Sequence, residues 1–164
     1  MNIESTKNII VVGYPKSGTT WICRLVAELL ECPVAGFWGQ PYSHEEAVEG
    51  KDRSSNFNVF KSHHDYQSLP KDNIYKTIYL VRDVRDVIVS ASHYFNNHEF
   101  GRKYYKNIGY RIGHRLSSWH NKSFMTAQVI INGAGSDGLR WLKVPWEKHV
   151  MSYHSQSIHL IKYE

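Results

Sequence analysis

Residues 13–21 read GYPKSGTTW, and this stretch decides the fold. A glycine, four residues and a second glycine give the spacing of a phosphate-cradling loop, but Thr19 stands where a nucleotide triphosphatase places its lysine. The lysine lies inside the loop instead, at Lys16. Before the loop, Asn8 to Gly13 (NIIVVG) is a β-branched run bounded by Gly and Pro, which predicts a buried parallel strand. After it, Trp21, Ile22, Leu25, Val26, Leu29 and Leu30 recur at helical spacing, with Pro33 just beyond the helix end. Thr19 or Thr20 is the expected cap, and the loop N–H groups and helix dipole converge on an anion.

At 164 residues and 41% apolar, the chain fits one α/β domain, 1–164, with a sizeable core. Its formal charge of +5 favours anionic partners without choosing among nucleotide, nucleic acid and membrane surface. Cys23 and Cys32 fit neither a disulfide framework nor a zinc site, which predicts a reducing compartment. MNIESTK lacks the apolar core of a signal peptide and no run reaches the length of a membrane span, so a soluble, cytoplasmic protein without membrane partners is expected.

Farther along, Cys32–Asn56 reads as a surface segment with one short helix near Glu45. Its Phe37, Trp38 and Tyr42 suit either a binding mouth or a core anchor. FNVFKS (Phe57–Ser62) and YKTIYLV (Tyr75–Val81) predict two more strands. A helix follows the second, with Val84, Val87, Ile88, Ala91 and Phe95 on one face and Asp86, Ser90, His93 and Asn97 on the other. Repeated strand–loop–helix units imply a mainly parallel sheet flanked by helices. Phe100–Phe124 interleaves basic and aromatic residues. It reads as a solvated basic helix with an aromatic core face; no module signature supports nucleic acid as a partner. NGAGSDG (Asn132–Gly138) reads as a loop.

Two further groups sit at the strand ends, where open α/β sheets place ligands. In KSHH, alternation sends Lys61 and His63 to one side and Ser62 and His64 to the other. A histidine titrating near neutrality beside a cation suits a general base, while an ordinary packing role is open to the same residue. Adjacent His63 and His64 diverge, against a shared metal. In RDVRDVIVSAS, the planar fork of Arg82 and the hydroxyl of Ser90, two turns into the helix, fit a second anion site. The competing reading pairs Arg82 with Asp83 or Asp86.

In this order, YPKSGTTW, KSHH and RDVRDVIVSAS resemble the sulfotransferases that use 3'-phosphoadenosine 5'-phosphosulfate (PAPS) as donor. The resemblance implies a P-loop-like α/β fold and transfer of a sulfuryl group to a hydroxyl or amine of a small-molecule or glycan acceptor. It implies that Lys16, Ser17, Gly18, Thr19, Thr20 and Trp21 hold the 5'-phosphosulfate, and that Arg82 and Ser90 hold the 3'-phosphate. His63 becomes the catalytic base, with Lys16 and Lys61 assisting catalysis. IKYE resembles the family strand ending in Y-E-D, making Tyr163 an adenine-side contact, and WEKHVMSY resembles the helix before that strand. No metal is expected, since sulfuryl transfer moves less negative charge than phosphoryl transfer and no acid stands in a Walker B setting.

The sequence departs from the family in two places. Asp83 replaces the usual asparagine, and the R-K-G-x-x-G-D-W-like closing segment is not present before Glu164. The expectation is therefore a C-terminally short domain: a truncated gene product, a fragment, or a compact variant whose site is completed by another chain or a second copy. Two other functions remain open at this level: a remnant that binds PAP or PAPS without turnover, and a P-loop kinase, which would need a lysine after Gly18 and a magnesium-binding acid.

Overall fold

A computed structural model describes residues 6–39, 48–95, 119–134 and 140–163. β1 (Lys7–Gly13) leads through the glycine loop into α1 (Thr19–Leu29). Then come β2 (Val34–Phe37), β3 (Val48–Glu49), β4 (Phe57–Ser62), β5 (Ile74–Arg82) and α2 (Val84–Phe95). After these stand α3 (Trp119–Asn132), a 3-10 turn (Arg140–Leu142), α4 (Trp146–His154) and β6 (His159–Tyr163). The strands form one sheet in the order β3-β2-β4-β1-β5-β6. Among the described residues only the β2–β3 pair is antiparallel.

The alternation of β1 explains the layers. Ile9 and Val11 turn to the α1 side, where they meet Cys23, Ala27, Val34 and Val59. Ile10 and Val12 turn to the opposite side, against Leu69, Tyr79 and Tyr153. A strand buried on both faces reads as a continuous apolar run, as NIIVV does. A third cluster joins Tyr14 to Val87, Ala91 and Phe95 of α2, Ile130 of α3 and Leu142 of the 3-10 turn.

Three expectations need correction. Cys32–Asn56 is not simply surface: Val34–Phe37 is a strand beside β4, and Cys32 and Val34 are core. The β-branched content there is short and broken by Gly36, so tertiary pairing decides the strand. Neither threonine caps α1. Gly18 is the cap, in the left-handed region at φ 97, without a side-chain cap bond. The stripe read on α1 is buried only in part: Ile22, Val26 and Leu30 pack against the core beside Cys23 and Ala27. Cys23 and Ala27 are buried while Trp21, Leu25 and Leu29 are 57%, 42% and 83% exposed. The small Cys23 and Ala27 let the helix lie close to the sheet, with Cys23 Sγ 3.9 Å from the Phe60 carbonyl oxygen of β4. The helix near Glu45 and most of Phe100–Phe124 fall outside the described residues, as does Tyr42; α3 takes up the latter segment from Trp119, and Phe124 is exposed.

Candidate functional site

The site forms where the carboxyl ends of β1, β4 and β5 meet the start of α1. Gly13 lets the loop approach β5: a Cβ there would lie 2.8 Å from Thr19 Cγ2 and 3.0 Å from the Leu80 carbonyl oxygen. Lys16 at φ 73 and Gly18 at φ 97 are both left-handed. That conformation is rare and costly for a lysine, and such outliers concentrate where the backbone is shaped for a ligand. Ser17 is fully buried and its hydroxyl has no hydrogen-bond partner among the described residues. An orphaned hydroxyl in a glycine loop at a helix start is a donor in need of an acceptor, which an oxyanion supplies.

Lys61 is buried, and its ammonium donates to Thr20 Oγ1 at 2.9 Å. The same Nζ lies 4.8 Å from the Phe37 ring centre. His63, two residues on, places Nδ1 2.7 Å from the Gly13 carbonyl oxygen. A carbonyl only accepts, so Nδ1 carries the proton and Nε2 is left with its lone pair. Burial first, then the Lys61 charge, push the His63 ring down to about 3. The ring is therefore neutral over a wider range than a histidine titrating near neutrality.

Aromatic rings wall this pair. Trp141 of the 3-10 turn stacks on Phe37 with centroids 6.3 Å apart and meets His63 edge-on at 5.6 Å. Phe37 thus belongs to the site. Trp38 does not: its ring meets Phe60 and its Nε1 donates to the Pro70 carbonyl. His63 and His64 both contact Trp141, each at 5.6 Å, and no metal-binding cluster occurs among the described residues. Trp141 escaped the sequence reading because it lies far along the chain beside a loop with no periodic signal.

The second group gathers around Arg82. Its Nη1 donates to the Lys16 carbonyl at 3.3 Å, its Nε lies 3.7 Å from Asp86 Oδ2, and its guanidinium carbon is 5.0 Å from the Tyr163 ring centre. Asp86, not Asp83, is therefore its acid neighbour. Asp83 instead takes hydrogen bonds from the Arg85 backbone and side chain, so it caps α2. Tyr163 sits opposite Arg82 in the β5–β6 register, and a Cβ on Gly18 would lie 3.8 Å from its ring. Arg82, Tyr163 and the loop are thus contiguous. Ser90 is partly buried on α2, and Trp21 is exposed at the start of α1. The Lys16 ammonium rests 3.8 Å from the Tyr94 ring centre, a neighbour that the sequence did not signal.

The sulfotransferase domain family model matches residues 6–164. Cytosolic sulfotransferase 3 of Arabidopsis thaliana is 35% identical over 92 residues, which cover 52% of this chain and 29% of that protein. Sulfotransferase 2A1 of Homo sapiens is 29% identical over 109 residues, covering 59% and 38%. Among solved structures, mouse sulfotransferase SULT7A1 complexed with PAP has a TM-score of 0.60 and 22% identity, and the match covers 96% of this chain and 52% of that one. The chain thus spans about half the length of that structure, and the aligned stretches cover less of the curated relatives.

Proposed function

The chain belongs to the sulfotransferase domain family, and on that premise we propose that it transfers a sulfuryl group from PAPS to a hydroxyl or amine of a small acceptor or glycan. The observation that carries the reading is the locking of the loop to the candidate base. His63 gives its Nδ1 proton to Gly13 and Lys61 binds Thr20, so the unprotonated Nε2 stands at a fixed place beside the anion cradle. The buried Ser17 hydroxyl, without a partner among the described residues, supports an oxyanion in that cradle.

In this reading Lys16 and the loop Ser17–Trp21 hold the 5' end of the donor, and Arg82 with Ser90 holds the 3'-phosphate. Tyr163 flanks the adenine. His63 Nε2 takes the acceptor proton as the acceptor oxygen or nitrogen bonds to sulfur and the bond from sulfur to the phosphate oxygen breaks. Lys16 meets the charge left on that oxygen, and Lys61 assists on the acceptor side. The donor's negative charge beside His63 opposes the low proton affinity that burial and Lys61 impose, making the ring a better base when loaded. No metal has a role in this reading. One domain and a cytoplasmic setting belong to the same proposal, supported by the free, buried Cys23 and Cys32 and by the cytosolic Arabidopsis relative.

Two measurements test it. The chain should bind 3'-phosphoadenosine 5'-phosphate more tightly than 5'-AMP by about 1.5–3 kcal/mol, the range for charge-assisted hydrogen bonds. Equal affinities in titration calorimetry would remove Arg82 and Ser90 from the nucleotide site. Label from sulfur-labelled PAPS should appear on members of a panel of phenols, alcohols, amines and glycans, with EDTA present. Binding without any transfer would instead leave a nucleotide-binding module.

A further inference from the structure

On the reading just given, we propose that His149 is a positioning residue for His63: a neutral imidazole held between the Tyr79 hydroxyl and the His63 backbone carbonyl, fixing where the base's ring stands relative to the loop. His149 is 1% exposed and Tyr79 fully buried. His149 Nε2 lies 3.2 Å from the His63 carbonyl oxygen, and its Nδ1 lies 2.8 Å from Tyr79 Oη. The carbonyl can only accept, so the proton is on Nε2. Nδ1 is then bare and takes the Tyr79 proton. Each role in the chain Tyr79, His149, His63 is forced by the next.

The same helix face makes a second tie. Tyr153, one turn beyond His149, donates its hydroxyl to the His64 carbonyl at 2.8 Å. Two successive carbonyls of the segment carrying the base are therefore fixed from α4. The His149 ring also meets Tyr14 edge-on, with centroids 5.5 Å apart. Tyr14 follows Gly13, whose carbonyl holds the His63 ring. Backbone and ring of His63 are thus tied to one unit in which His149 touches the residue next to the loop anchor. An apolar side chain would fill the space at lower desolvation cost, so a buried imidazole here is explained by the direction of its hydrogen bonds. Burial keeps the ring neutral, pushing it down to about 4 although Asp65 and the carbonyls of residues 63 and 64 pull it up; His64 and the phenols of Tyr14, Tyr79 and Tyr153 are its other titratable neighbours.

The test uses the whole chain with 15N-labelled histidine. Ring-nitrogen shifts should show His63 protonated on Nδ1 alone, and His149→Leu should give a mixture of both His63 tautomers. In the same variant, transfer from labelled PAPS to 4-nitrophenol should lose kcat by about 10- to 100-fold, the scale of a misplaced reacting group, with PAP affinity within about threefold. His149→Gln, whose amide can donate to the His63 carbonyl, should restore the single tautomer and most of kcat. Ile9→Ala, at the far end of β1 in the cluster on the α1 side, serves as a control for lost stability and should leave the tautomer unchanged. Should His149→Leu not fold, Tyr79→Phe removes the donor to His149 Nδ1 while the His63 carbonyl keeps the proton on Nε2, and should give a smaller loss of kcat with His63 still protonated on Nδ1; a kcat equal to wild type would then overturn the proposal. An unchanged His63 signal in folded His149→Leu, or the same disturbance in Ile9→Ala, overturns the proposal. If the wild-type chain moves no label, the transferase reading fails, while the tautomer signal still decides the role of His149.

Discussion

At the scale of single residues, Lys16 and His63 separate binding from chemistry. Lys16 belongs to the strained loop, whereas His63 contacts it through a single carbonyl. His63→Ala should therefore lower turnover by roughly 10²- to 10⁴-fold, the range for losing a general base, and leave PAP affinity nearly intact. Lys16→Ala should weaken both, because the cation acts on the bound donor and on its leaving oxygen. Rate and calorimetry for each variant decide this; unchanged turnover in His63→Ala would exclude it as the base. Lys61 and His63 were legible together because strand alternation sends both to one side, and the structure finds both beside Phe37. Trp141, Tyr94 and His149 were not legible as site neighbours. Their proximity arises from helices crossing the sheet, which no local pattern encodes.

At the scale of elements, the wall of the site depends on how α3 ends. Gly133 at φ 81 closes that helix, with its N–H on the Val129 carbonyl, and Ala134 N–H binds the Leu142 carbonyl at 2.7 Å. This bond fixes the turn that carries Trp141. A Cβ on Gly133 would lie 2.5 Å from the Lys143 carbonyl oxygen. Gly133→Ala should thus cost on the order of 2–4 kcal/mol, from the left-handed backbone and the overpacking together. Urea denaturation measures it, and a loss under half a kcal/mol would mean that the turn yields freely. Strands β1, β4 and β5 were readable from their β-branched runs, and α2 from its period; Val87, Ala91 and Phe95 are buried as expected. Half of the α1 stripe, Ile22, Val26 and Leu30, packs against the core as its period implies, whereas Trp21, Leu25 and Leu29 are exposed because period alone cannot tell which of two adjacent rows touches the sheet. Cys23 and Ala27 won because the loop brings α1 in close. β2 was missed since four residues broken by a glycine carry too little pattern.

For the whole molecule, acid should be the effective denaturant. His63 and His149 sit at about 3 and about 4, below the ordinary histidine value, both chiefly through burial. As pH falls below about 6.5 the unfolded chain gains protons that the folded chain refuses, so stability is full above that value and declines toward pH 4 and then 3. Each histidine contributes a slope of about 1.4 kcal/mol per pH unit within its window. Urea midpoints at pH 7, 6 and 5 should fall in that order, and a flat series would mean that neither ring stays neutral when buried. The central place of β1 has one more consequence, for the chain as it is made. Its neighbours are β4 and β5, so Lys7 waits for Phe57 and Asn8 for Ile74. At about 5–20 residues per second that interval lasts seconds, during which the most apolar strand, with the loop behind it, has left the ribosome with neither edge paired. The segment on which the fold is built is thus the one most dependent on being shielded during synthesis.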